Sequence, residues 1–191
     1  IIYDVIYSKK YIKDFSSILT QYPTFNRSIS IDFDDNNLIF ISGGIELSKN
    51  NTSNMFLIIN WKSEIIEYQY PMPKRLAFHS SIYFNEKLYI IGGMSSNEKV
   101  TNECLIFNYN EKKWINFNNL NHGRANSSLC IYNNSYLYVF RGRNNSDVIN
   151  SIEFISLLGN IMENKWNIFV PNDYGFIWFA CENSMVITID N

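Results

Sequence analysis

The sequence predicts an all-β repeat protein in which short antiparallel sheets stack face to face. Three observations lead there. A strand–turn–strand stretch recurs every 49 residues. The second strand of each copy is a short run that is apolar on both faces. A glycine pair, or what remains of one, closes that run. The clearest copy, residues 80–93, reads Ser-Ser-Ile-Tyr-Phe-Asn-Glu-Lys-Leu-Tyr-Ile-Ile-Gly-Gly. Gly44, Gly93 and Gly142 keep the spacing, and so do the turn residues Asn36, Asn85, Asn134 and Asn183.

A period of this length belongs to solenoids, propellers and repeat arrays, and the strand-rich unit removes the helical ones. The second strands fall at 38–41, 88–91, 137–140 and 186–189. Runs this short, rich in Ile, Val and aromatics, read as strands buried on both faces. The inner strands of a propeller blade meet that condition, because neighbouring blades sandwich them. The pairs Gly43-Gly44 and Gly92-Gly93 then let the backbone turn sharply or approach another backbone closely. They do not read as a phosphate loop, since neither Lys-Ser/Thr nor a helix pattern follows them.

The second repeat carries Arg75, His79, Gly92-Gly93, Tyr109 and Trp114 in order. That set resembles the kelch motif, in which a double glycine closes the second strand and a Tyr and a Trp follow. The third repeat keeps Arg124 and Gly142 and has Trp166 near the expected place. The resemblance covers essentially the whole chain. It implies a kelch-type β-propeller, here about four blades' worth of four-stranded antiparallel sheets.

In chain order, residues 1–15 read as the third and fourth strands of a blade. Residues 16–24 are a connector, with a short helical turn expected near 14–20. Complete blades are expected at 29–70, 80–117 and 127–169. In the first, the third and fourth strands fall at 55–61 and 64–70. In the second, strands fall near 80–84, 88–92, 103–108 and 114–117. The third is the least regular: Arg141 replaces the first glycine, and the hairpin at 157–164 is longer than its counterpart. Residues 176–191 supply a first and a second strand only. A piece of a longer propeller is favoured over a self-contained four-bladed ring.

The chain has 191 residues and a net charge of −2, so no general attraction to nucleic acid or anionic membrane is implied. Charged residues make up 18%, below the usual quarter, while aromatics reach 16%, which suits large rings buried between sheets. Cys104, Cys130 and Cys181 form no CxxC pair and sit in apolar runs. They read as buried free thiols of a reduced, intracellular protein in the cytoplasm. No apolar run is long enough to span a membrane.

No catalytic motif is legible. His79 and His122 are the only histidines, out of phase with each other, and no cluster of metal-ligating residues appears. No cofactor is expected. Asp34-Asp35 reads as turn chemistry. Arg75 and Arg124 share a phase and lie on crossovers between blades. Two readings stand: each satisfies backbone carbonyls of a neighbouring blade, or together they ring one end of the propeller and hold an acidic ligand. Arg141 and Arg143, flanking Gly142, are further candidates at the channel mouth, as is His79.

The expected function is therefore a non-enzymatic interaction module that binds another protein. By resemblance, such domains serve as substrate-binding parts of larger adaptors, as cytoskeletal binders and as scaffolds. A carbohydrate-binding or enzymatic propeller is the alternative, and would need polar side chains converging at the channel mouth, with His79, Arg75, Arg124 and Arg143 as candidates. A structural subunit of a multi-subunit complex is the third reading.

Overall fold

The computed structural model describes residues 2–4, 9–11, 30–33, 37–46 and 48–170. They form sixteen strands and no helix. The first two, β1 (Ile2–Asp4) and β2 (Lys9–Tyr11), pair antiparallel. The next four-stranded sheet holds β3 (Ser30–Phe33), β4 (Leu38–Ser42), β7 (Phe56–Asn60) and β8 (Ile65–Gln69). A small hairpin, β5 (Ile45–Glu46) with β6 (Asn51–Thr52), projects from its loop. The second four-stranded sheet runs β9 (Ser80–Phe84), β10 (Lys87–Ile91), β11 (Cys104–Asn108) and β12 (Lys113–Phe117). The third runs β13 (Ser128–Tyr132), β14 (Tyr136–Phe140), β15 (Ile152–Ser156) and β16 (Asn167–Phe169). Each of the three is an antiparallel meander in sequence order. The helical turn expected near 14–20 and the strands expected at 176–191 lie outside the described residues.

The turn chemistry explains the hairpins. Asn85 and Glu86 sit at φ +48° and +59°, and Asn133 and Asn134 at +50° and +48°. Two successive left-handed residues make the mirror-image turn whose twist matches paired strands, and asparagine tolerates that conformation best after glycine. Asn85 and Asn134 are therefore backbone requirements. Asn36 and Asn183 lie outside the described residues, although Asn37 is left-handed at φ +68°.

The sheets fan out from a common axis. Their first strands β3, β9 and β13 lie side by side, while the last strands β8, β12 and β16 are largely exposed. Between the sheets lie two apolar layers. Leu88 and Ile90 of β10 and Leu105 and Phe107 of β11 pack against Phe40, Phe56 and Ile58 of the first sheet. Tyr89, Ile91, Cys104 and Ile106, which alternate with them, pack against Leu137, Val139 and Ile155 of the third. Side chains alternate across a strand, so a strand between two layers needs apolar residues at every position. That is why the second strands read as unbroken apolar runs.

The Tyr and Trp of the second repeat close the outer part of the first layer. Trp114 packs edge-on to Phe56 with ring centroids 4.8 Å apart, and Tyr109 meets Phe40 at 6.2 Å. Trp166 keeps an equivalent task from a different place. It sits one residue before β16, is buried, and its indole N–H donates to the Asn118 carbonyl at 2.7 Å. The longer hairpin before it explains the displacement.

Candidate binding surface at the axial end

In the first and second four-stranded sheets the loop joining the second and third strands emerges at the same end as the crossover to the next sheet. The glycine pairs sit where these two segments meet. The amide of Gly44 donates to the Leu76 carbonyl at 3.0 Å, and that of Gly93 to the Arg124 carbonyl at 2.9 Å. A Cβ on Gly43 or Gly92 would stand 2.3 Å from the carbonyl oxygen of Leu76 or Arg124. Both residues also lie at φ near +60°. Glycine is required there twice over, by conformation and by the crossover backbone lying against it.

Arg124 and Arg75, in phase along the chain, do different things. Arg124 is fully buried. Its guanidinium donates to the carbonyls of Arg141 and Ser151 at 3.1 and 3.0 Å, and to Glu153 Oε1 at 2.6 Å. Desolvation pulls its pKa down from the ordinary arginine range, against the opposing pull of Glu153. Arg75 is exposed and donates to the Thr52 carbonyl at 2.7 Å. It reaches back to the preceding blade, whereas Arg124 reaches forward into the following one. Of the two readings, each arginine therefore takes the first, donating to backbone carbonyls of a neighbouring blade, and the ring for an acidic ligand is not formed. The physical reason is Glu153, which takes the charge of Arg124 inside the protein.

Glu153 is the residue that sequence reasoning missed. It is the second residue of β15, where the corresponding strands have Leu57 and Leu105. Both carboxylate oxygens are occupied: the backbone N–H groups of Asn121 and His122 donate to them at 2.6 and 3.0 Å, besides Arg124. Leu57, Leu105 and Glu153 are 48 residues apart, one short of the repeat's phase, so only the strand bounds bring the glutamate into line with the two leucines.

His79 is buried as well. Its ring lies against the glycine pairs, with Cε1 2.6 Å from a hypothetical Cβ on Gly43 and Cβ 2.8 Å from one on Gly93. Nε2 hydrogen-bonds Ser42 Oγ across the blade junction at 2.8 Å. Nδ1 has no partner, and burial pulls the pKa down to about 4, so the ring is neutral. Burial likewise pushes the Cys104 thiol up to about 12. His79, Arg75, Arg124 and Arg143 do not converge. Among the described residues no group of three or more His, Cys, Asp or Glu could hold a metal ion, and no helix is long and apolar enough to cross a membrane.

A groove of about 330 Å³ does open at this end, between the second and third blades. Phe78, Met94, Val100 and Ala125 give it an apolar floor, and Glu98, Asn126, Arg143, Asn144 and Asn145 a polar rim. Of the sequence candidates only Arg143 borders it. Arg141 is half-buried with φ +54°, and its carbonyl is committed to Arg124. The groove is held by backbone: Ala125 and Arg143 exchange two N–H···O bonds of 2.9 Å, and the Asn126 amide donates to the Phe78 carbonyl at 2.9 Å. Asn145 ties the loops of the two blades together, accepting from the Val100 amide at 3.0 Å and donating to the Glu98 carbonyl at 3.2 Å. Phe78 and Asn126, equivalent residues in successive crossovers, both adopt left-handed backbone at φ +56° and +55°. For a phenylalanine that conformation is a strained one.

Radial antiparallel sheets with an axial loop surface define a β-propeller built from strand-rich repeats. The chain belongs to the kelch-repeat family: the model of the KLHDC2/KLHL20/DRC7 Kelch-repeats domain matches residues 19–184. Among solved structures it is similar to one described as the structure of YjhT, with a TM-score of 0.64 and 16% identity. That match covers 77% of this chain and 52% of the other, so the chain spans about half the length of that structure. At this identity the likeness concerns the fold alone. No curated protein matches.

Proposed function

We propose that this chain is a non-catalytic protein-interaction module that holds a short segment of a partner protein in the groove between the second and third blades. The observation that carries this is the groove itself, with apolar floor and amide, carboxylate and guanidinium rim. Such a lining suits a peptide, whose side chains want apolar cover and whose backbone wants donors and acceptors. Membership in the kelch-repeat family supports it. The burial of His79 and Arg124 favours it over an enzymatic or sugar-binding propeller, for which both are candidate groups at the channel mouth. The identity of the partner, a role inside a larger adaptor or assembly, and a cytoplasmic setting belong to the same proposal.

The test is selection of peptides from a displayed library on the purified chain, followed by titration against variants. Arg143→Glu and Val100→Asp should each weaken the selected peptides by roughly tenfold or more, an effect of about 1.4 kcal/mol, with thermal unfolding unchanged. Peptides whose binding ignores both substitutions would remove the groove as the site.

A further inference from the structure

Phe78 stands out among the residues of the groove because its backbone does not suit it. The crossover entering the second blade reads Ala77-Phe78-His79, and the one entering the third reads Ala125-Asn126-Ser127. The two are built alike. Ala77 exchanges backbone hydrogen bonds with Met94, as Ala125 does with Arg143. His79 then lies against Gly93, and Ser127 against Gly142. With both neighbours fixed, the middle residue takes left-handed backbone, at φ +56° in one crossover and +55° in the other. Asparagine accepts that conformation at little cost, and phenylalanine does not. With Asn126 the third blade makes the same turn without a ring.

The apolar layers make no use of the ring either. Phe78 is half-buried, and it is neither a core residue of the two layers nor one of the partly buried side chains packed against them. It lies in the groove floor beside Met94, Val100 and Ala125, in a space of about 330 Å³. Strained backbone outliers cluster at ligand clamps, where the surrounding structure holds them in place. We infer that Phe78 is the specificity-determining residue of the groove, and that its ring is the platform for one large apolar side chain of the partner segment, of the size of leucine, methionine or phenylalanine. This rests on the groove being the peptide site. A ring at the centre of a pocket offers contact area at little cost in side-chain entropy. The charged residues of the groove, Glu98 and Arg143, stand on its rim, so the floor selects by apolar contact.

Phe78→Asn puts into the second crossover the residue that the third already uses. Peptides selected from a displayed random library on the full chain are synthesised and titrated by fluorescence polarisation against parent and variant. The variant should bind them at least about tenfold more weakly. It should also melt within about 4 °C of the parent or above it, because the substitution relieves left-handed strain. In an alanine scan of the peptide, one large apolar residue should cost at least about tenfold against the parent. Against Phe78→Asn the same replacement should cost less than about threefold, the coupling expected of side chains in contact. A smaller loss of affinity, or the lack of any peptide residue coupled in this way, overturns the inference. So does a larger drop in melting temperature, which would make the ring a part of the fold. Arg143→Glu and Val100→Asp separate these outcomes from a failure of the groove itself. Peptides weakened by those two and not by Phe78→Asn leave the groove standing and remove Phe78 alone. Peptides that ignore those two remove both.

Discussion

Arg124 and Glu153 form an ion pair of 2.6 Å in which both side chains are wholly buried. It joins the crossover entering the third blade to the centre of that blade's sheet. The remaining hydrogen-bonding capacity is filled by the Arg141 and Ser151 carbonyls and the Asn121 and His122 amides. Removing one partner strands the other in a dry interior. Glu153→Leu or Arg124→Met alone should therefore cost about 3–5 kcal/mol, while the double variant should recover most of it. Urea unfolding of the three variants measures this, and an additive double variant would contradict the pairing.

His79 makes stability depend on pH in one direction. Its folded pKa, about 4, lies below the ordinary value near 6.5 of an unfolded chain. The unfolded state therefore binds a proton first as pH falls. The contribution is fully present above pH 6.5 and is lost between 6.5 and 4, by at most about 3 kcal/mol. Parent and His79→Leu should show stability curves that converge in that window. A constant offset from pH 7 to 4 would show that the ring does not titrate as described.

Gly92 should tolerate alanine far less well than Gly159. Both are left-handed, at φ +61° and +68°, so each substitution carries the same backbone cost of about 1–2 kcal/mol. Only at Gly92 does the new methyl meet a backbone oxygen, at 2.3 Å, whereas nothing lies within 4 Å of Gly159. Chemical denaturation should place Gly92→Ala at least about 2 kcal/mol below Gly159→Ala, the added penalty of an overpacked site.

Asn85 tests the turn. Asn85→Gly should leave stability within about 0.5 kcal/mol, and Asn85→Val should lower it by about 1–2 kcal/mol, because a β-branched residue resists positive φ. Equal melting temperatures for the two variants would deny the left-handed requirement.

Much of the fold was legible because its causes are local or periodic. Turn asparagines, glycine pairs and two-faced apolar strands follow from backbone sterics and from the alternation of side chains, and these act over a few residues. The blade boundaries follow from the period. The candidate site was less legible. Arg75 and Arg124 share the 49-residue phase, yet the glycine amides take the carbonyls of Leu76 and Arg124. Arg124 therefore stands at the crossover position of Leu76 and is buried like it, while Arg75 lies one residue before that position and is exposed.

The sequence by itself determined the repeat, the strands and turns, and the need for neighbouring sheets to cover each apolar face. Only the tertiary structure decided which polar groups are available to a partner. Availability depends on what stands across a blade junction, dozens of residues away. Glu153 lies 29 residues beyond Arg124 and Ser42 lies 37 before His79. Both meetings withdraw a candidate from the surface.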